Sequence, residues 1–165
     1  YCSYLENSYL CSFVSRYHES VKIQMQSPKK VYFIDHLLAK IVGFHFSEDT
    51  GRLLENIVYI ELRRRHFEIY YHKNLKECDF LIRKEGVIID AIQVCKSITA
   101  PNTRQREIEG LVEALEWHGL KEGKILTENE EETITIKTPS ASLVIHVIPL
   151  CKWLIGDVDT RGIKI

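Results

Sequence analysis

Residues 67–96 read FEIYYHKNLKECDFLIRKEGVIIDAIQVCK, and the periodicity of this stretch decides the architecture. Segments 67–73, 78–84 and 87–96 are extended runs rich in β-branched and aromatic residues, the last two joined by the turn pair Glu85-Gly86. Three consecutive strands in a meander follow. On both sides the period becomes helical. Upstream, SEDTGRLLENIVYIELRRRH (47–66) places Leu53, Leu54, Ile57, Val58 and Leu62 on one face, with Glu61 a charged intruder in that stripe. Downstream, Pro101 and Asn102 close the sheet, Asn102 and Gln105 have capping-box spacing, and residues 103–120 carry Ile108, Leu111, Val112 and Leu115 on one face. A strand at 124–127, a solvated acidic turn at 128–132 and strands at 133–137 and 142–149 come next. From residue 48 to 127 the order is helix, three strands, helix, strand. That order predicts an α/β fold of the α+β sandwich kind, the meander flanked by two helices.

Ahead of this unit, Tyr4, Leu5, Tyr9, Leu10, Phe13 and Val14 recur at spacings of three to five, the stripe of an amphipathic helix over residues 1–18. The polar interval SVKIQMQSPKK (20–30) leads into VYFID (31–35), a strand by composition, after which Asp35 is placed to cap an apolar helix, HLLAKIVGF (36–44). The organisation expected is a helical extension at 1–47, one α/β domain at 48–155 and a tail at 156–165. The helix at the start of the chain is expected to join sequence that precedes it.

With 22 Lys and Arg against 23 Asp and Glu, the formal charge of -1 excludes a strongly basic protein that coats nucleic acid without specificity. Five scattered cysteines (Cys2, Cys11, Cys78, Cys95, Cys151) offer no C-x-x-C pair for zinc or dithiol chemistry and read as free thiols of a reducing cytoplasm. No stretch approaches the roughly 18 uninterrupted apolar residues that cross a bilayer, so a cytoplasmic protein without a membrane partner is expected. No G-x-x-x-x-G-K-[ST] string occurs, so this sequence carries no P-loop ATP site.

Alternation along the second strand of the meander sends Glu77, Asp79, Leu81 and Arg83 to one face; on the third, Ala91, Gln93 and Cys95 share a face. Pairing across Glu85-Gly86 sets Asp79 beside Gln93 at one end of the sheet. Glu55, on the preceding helix, is a third polar group within reach. Cys95 has no histidine near it in sequence and reads as a small hydrophobe rather than a nucleophile.

A helix acid, an acid on the second strand and a hydrophobic-acid-x-Lys signature on the third resemble the PD-(D/E)XK nuclease superfamily. More narrowly, KKVYFID (29–35), GRLLENIVYIELRRR (51–65), ECDFLI (77–82) and IQVCKS (92–97) together resemble the uncharacterised domain that follows the P-loop (AAA-type) motor in prokaryotic ATPases. That resemblance covers nearly the whole chain. It implies a restriction-endonuclease-like αβββαβ core with extra C-terminal strands and an N-terminal helical extension. In active superfamily members the acids hold one or two Mg²⁺ or Mn²⁺ ions and the lysine positions or activates the attacking water. Matching by position gives Glu55, Asp79, Gln93 and Cys95. Gln93 keeps a carbonyl ligand and loses the charge; Cys95 supplies no cation. Lys96 belongs to the opposite face of a regular strand and would need a β-bulge at Cys95, with Lys76 and Lys84 as the other candidates. The implied metal ligands are Glu55, Asp79 and Gln93, and Lys96 completes the catalytic set.

Arg63, Arg64 and Arg65 end a helix, where cations complement the dipole, and are candidates for phosphate contact. Arg104 and Arg106 open the later helix against its dipole, which points to phosphate or partner contacts. The histidines, among them His36, His45, His72 and His146, have no ligand spacing. Two functions follow. One is a non-catalytic, degenerate nuclease-like module that binds nucleic acid or a protein partner for an attached P-loop ATPase. The other is a metal-dependent nuclease that hydrolyses phosphodiester bonds in DNA. Homo-oligomerisation through the N-terminal helix is compatible with the first.

Overall fold

The computed structural model describes Tyr4, Glu6 and residues 10–35, 50–139 and 141–156. Among them the elements run β1 (Cys11–Val14), α1 (Val21–Gln26), β2 (Lys30–Phe33), α2 (Thr50–Arg64), β3 (Glu68–Lys73), β4 (Glu77–Lys84), β5 (Val87–Val94), α3 (Pro101–His118), β6 (Glu122–Thr127), β7 (Glu132–Lys137), β8 (Ser142–Pro149) and α4 (Leu150–Ile155). The six later strands form one mixed sheet in the order β3-β4-β5-β6-β8-β7. Within it β3, β4 and β5 are the expected antiparallel meander, α3 carries the chain over to a parallel β6, and β8 lies parallel to β6 with β7 antiparallel at the edge. The Glu85-Gly86 turn has φ of 51° and 85°, both left-handed, as a two-residue turn with the twist of its flanking strands requires.

One face of the sheet buries α2 and α4, the other α3. Val58, Tyr59 and Leu62 of α2 pack with Phe80, Ile82, Ile92 and Val94, and Trp153 of α4 closes that layer. On the other face Leu111, Ala114 and Leu115 of α3 meet Leu81, Ala91, Ile125 and Ile145. The expected α+β sandwich with the meander between two helices is what the chain adopts. Strict alternation breaks on both strands of the hairpin: Cys78 packs with the α3 layer although Phe80, two residues on, packs with α2, and Ile88 packs with the α3 layer although Ile92 packs with α2, across the register shift between Ile82 and Arg83.

Several local expectations are corrected. Tyr4 and Glu6 are helical, but Phe13 and Val14, read as the end of the same helix, lie in β1 and pair with Val31 and Lys30 of β2. The CSFV segment suits a strand and gains a ladder partner there, which outweighs its helical spacing. The segment 1–47 is thus not a purely helical extension. Val14 and Tyr32 join the α2 core cluster, and Ser15 to Tyr17 bond the outer edge of β3 at Tyr71. The helix expected at 36–44 and the tail beyond residue 156 lie outside the described residues. The capping box at Asn102 does not form. Pro101 instead takes the first helical position after Ala100, where its missing N–H costs nothing. Helices α1 and α4 were not expected; α1 buries no residue, so its sequence carries no stripe.

Gly110 sets how closely α3 approaches the sheet, since a Cβ there would lie 2.3 Å from the Glu77 carbonyl oxygen. Gly110→Ala should therefore destabilise the fold by about 1–3 kcal/mol, the overpacking clash against backbone exceeding the gain of roughly 1 kcal/mol in helix propensity. Urea unfolding of the two proteins measures this; equal or higher stability of the variant would mean that α3 is not seated on β4.

Candidate functional site

Ladder pairing between β4 and β5 runs to Phe80–Ile92, and beyond it two side chains take over. The Asp79 backbone N–H donates to Gln93 Oε1 at 3.1 Å, and the Val94 N–H donates to Asp79 Oδ2 at 2.9 Å. Asp79 and Gln93 are therefore side by side at the end of the meander, and both are 7% exposed. The turn alone would set Asp79 opposite Ile92, and a one-residue register shift between Ile82 and Arg83 brings Gln93 there instead. Helix α2, held to the sheet by Val58 and Leu62, brings Glu55 over the same end. Asn56 ties the helix to β2 by accepting from the Phe33 N–H at 2.8 Å and donating to its carbonyl at 2.9 Å.

The residue that joins these acids is one the sequence did not reveal. Lys30, at the start of β2, places Nζ 3.1 Å from Glu55 Oε1, 2.9 Å from Glu77 Oε1 and 2.7 Å from Asp79 Oδ1. One ammonium thus bridges a helix and a strand. Tyr32, two residues on and so on the same face of β2, donates its hydroxyl to Glu55 Oε1 at 2.6 Å and stacks on Tyr59 with centroids 4.5 Å apart. Burial opposes the charge on Lys30, yet the Asp79, Glu55 and Glu77 carboxylates together hold its ammonium well above the ordinary lysine range. Burial likewise opposes ionisation of Glu77, but Lys30 and Lys73 keep its carboxyl below the usual value. Asp79 goes the other way: burial first, then the Glu55 charge, push it up to about 7 against the pull of Lys30.

On the other side of Gln93 sits a second residue missed in the sequence. Gln93 Nε2 donates to Glu107 Oε2 at 2.5 Å, and Glu107, 4% exposed, takes Arg106 on its remaining oxygen. An acid at position 93 would face the Glu107 carboxylate, whereas the glutamine amide satisfies it with an N–H. The signal for Glu107 was its place on the buried face of α3, three and four residues before Gly110 and Leu111. Lys30 had no comparable signal, because its partners are 25 to 49 residues away.

Glu55, Glu77, Asp79, Gln93 and Glu107 line a cleft of about 910 Å³ whose walls also include Arg52, Lys96, Ser97 and Arg106. Cys95 is buried, and burial, followed by the Glu107 and Asp79 charges, pushes its thiol up to about 12, so it is neither thiolate nor cation at neutral pH. The strand ends at Val94 and the chain bends at Lys96, which is exposed at the cleft wall. Lys76 is spent on Glu109 at 2.7 Å, and Lys84 lies at the far end of β4 beside the turn.

The basic candidates are mostly committed elsewhere. Arg64 and Arg65 both bond Glu61, which explains that buried acid in the α2 stripe, and the Arg65 guanidinium stands 4.8 Å from the Trp153 ring centroid. Arg63 and Arg64 line a separate groove with Phe13 and Phe67, away from the acids. Arg104 is held bidentately by Glu132, and Arg106 by Glu107. The acidic turn is correspondingly not simply solvated: Glu130 accepts from the Ser97 hydroxyl and Glu131 pairs with Lys152. His72 pairs with Glu113 at 3.0 Å and His146 with Glu122 at 3.2 Å; His36 and His45 lie outside the described residues.

The Mg²⁺ or Mn²⁺ implied by the resemblance does not fit this arrangement. Such an ion needs several oxygens at about 2.1 Å. Here the point common to the three carboxylates holds Lys30 Nζ, and the Gln93 carbonyl is turned to a backbone N–H. Among the described residues no set of three or more His, Cys, Asp or Glu side chains has metal-binding geometry.

Since the Asp79 carboxyl is raised above its ordinary 3.8, the folded chain keeps a proton that the unfolded chain has already lost between about pH 4 and 7. Its contribution to stability accordingly falls as pH rises through that window. Carboxyl ¹³C chemical shifts should give Asp79 a midpoint near neutrality. In Glu55→Gln, which removes the nearest like charge, the midpoint should drop by about one unit or more. A midpoint that stays in place or rises in that variant would refute this account of the cluster.

No family model matches the chain. An uncharacterized protein of Methanocaldococcus jannaschii is 33% identical over 160 residues, an alignment that covers 93% of this chain and 35% of that protein. The chain therefore spans about a third of the length of the curated relative it matches.

Proposed function

We propose that this chain is a restriction-endonuclease-like domain of the PD-(D/E)XK superfamily whose nuclease site has become a structural ion-pair network. It serves as a non-catalytic recognition module of a prokaryotic P-loop ATPase. The observation that carries the reading is what stands at the two signature positions of β5. Gln93 is bonded on both sides of its amide, and Cys95 is a buried, protonated thiol. Neither neutralises a metal, and neither supplies a cation to an attacked phosphodiester. Supporting it is the order α2-β3-β4-β5-α3-β6, with Glu55 on the first helix and Asp79 on the second strand. The greater length of the archaeal relative leaves room for a further domain such as an ATPase.

Charge bookkeeping favours a protein partner over a nucleic acid. Lys73, Lys76 and Arg106 at the cleft, and Arg64, Arg65 and Arg104 beyond it, are each paired with a carboxylate. A phosphate backbone would have to displace those acids before gaining its own contacts. A cytoplasmic setting agrees with the free thiols of Cys78, Cys95 and Cys151. Among the described residues no helix is long and apolar enough to cross a membrane.

One observation favours the metal-dependent nuclease instead: Glu55 and Asp79 do converge in one cleft, and Lys30 is a cation beside them. Incubation with single-stranded, duplex and branched DNA in Mg²⁺ or Mn²⁺ separates the two. The expected result is no cleavage above that of Asp79→Ala, and DNA binding no tighter than about 10 µM by fluorescence anisotropy at physiological salt. Metal-dependent cleavage lost in Asp79→Ala would make the domain a nuclease. Tight binding without cleavage would keep the recognition role and change the partner to nucleic acid.

A further inference from the structure

We propose that Lys30 is the resident cation of these three carboxylates: its ammonium fills the place among Glu55, Glu77 and Asp79 where a nuclease of this architecture would hold a divalent ion, and so excludes that ion. The inference rests on the nuclease-like reading above and states how the site lost its metal.

Three features carry it. The first is position: a single nitrogen lies within 2.7 to 3.1 Å of oxygens from three carboxylates on two elements, which is where a shared cation belongs. The second is delivery. The backbone on each side of Lys30 is fastened, with the Pro28 carbonyl accepting from the Tyr71 hydroxyl at 2.5 Å, Tyr32 buried between Tyr59 and Phe80, and Phe33 bonded twice to Asn56. Strand β2 therefore cannot withdraw its lysine without unpacking Tyr32 from the core. An ammonium tethered in this way competes at an effective concentration that a free ion must exceed, and a divalent ion entering would leave the ammonium half-buried and unpaired. The third is the use of the other oxygens: Asp79 Oδ2 holds the Val94 N–H, Glu77 Oε2 faces Lys73 at 3.3 Å, and Gln93 Oε1 holds the Asp79 N–H. Among the described residues, the neighbouring groups are arranged around an ammonium.

Removing that charge should recreate a metal site. By calorimetric titration, and by loss of the free-ion electron paramagnetic resonance signal, Lys30→Met should bind one Mn²⁺ at least tenfold more tightly than the unaltered protein. The gain should vanish in Lys30→Met/Asp79→Asn. Mn²⁺ should also raise the unfolding temperature of Lys30→Met and leave that of the unaltered protein in place. Should Lys30→Met not fold without metal, its recovery on adding Mn²⁺ would support the proposal. Lys30→Gln, which keeps hydrogen-bond donors and drops the charge, carries the same titration. A folded Lys30→Met or Lys30→Gln that gains no Mn²⁺ affinity overturns it. So does an unaltered protein that already binds Mn²⁺ at a site abolished by Asp79→Asn. Cleavage of DNA by the unaltered protein would instead remove the non-catalytic reading, so the two failures are distinguishable.

Discussion

Glu55, Glu77 and Asp79 meet at one end of the sheet around a cation that is covalently part of the fold. Lys30 reaches Glu55, Glu77 and Asp79 from a two-stranded sheet whose backbone link to the main one runs through Ser15 to Tyr17 at the outer edge of β3. The ion pairs add a second tie, joining β2 to the N-terminal half of α2 and the start of β4. The apolar packing of Tyr32 against Tyr59 and Phe80 has the same geometry of attachment, so the polar and apolar contacts reinforce one another. Removing one partner from such a network costs more than the net worth of any single pair, because the remaining charges stay buried and unmatched.

On the opposite side of Asp79, the network continues through neutral and charged groups in alternation. The Asp79 N–H meets the Gln93 carbonyl, the Gln93 amide meets the Glu107 carboxylate, and Glu107 meets Arg106. Each buried polar atom in this chain of contacts faces a group of complementary character, which is the condition under which a polar interior stabilises rather than strains a fold. Glu107 reaches Gln93 only because α3 sits low on the sheet, and it sits low because Gly110 presents no Cβ to the Glu77 carbonyl. Backbone packing and site chemistry are thus set by the same helix face.

The cations follow one logic across the molecule. Arg64 and Arg65 neutralise the buried Glu61, Arg104 clasps Glu132 across the acidic turn, and Lys124 holds the buried Asp90. These pairs, like those of Lys30, join side chains from different elements or hold a buried acid, and so help to keep the mixed sheet and its flanking helices in register.

What the sequence by itself determined was local: the three strands of the meander, the turn at Glu85-Gly86, the apolar faces of α2 and α3, and the placing of Asp79 and Gln93 at the same end of the sheet, while their direct pairing needs the register shift between Ile82 and Arg83. All of these depend on spacings within about 30 residues, where the periods of strand and helix act directly. The tertiary structure alone decided that Val14 is a strand residue, because its partner Lys30 lies across α1. It also decided that Arg64, Arg65, Arg104 and Arg106, read as phosphate contacts, are bound to carboxylates. Above all it decided the cation of the site. The position at which the resemblance implies a lysine holds Cys95, and the ammonium beside Asp79 arrives from 49 residues upstream in sequence. No periodicity encodes such a contact, since it is set by which strand the core places over the end of the sheet, and that is a property of packing rather than of spacing.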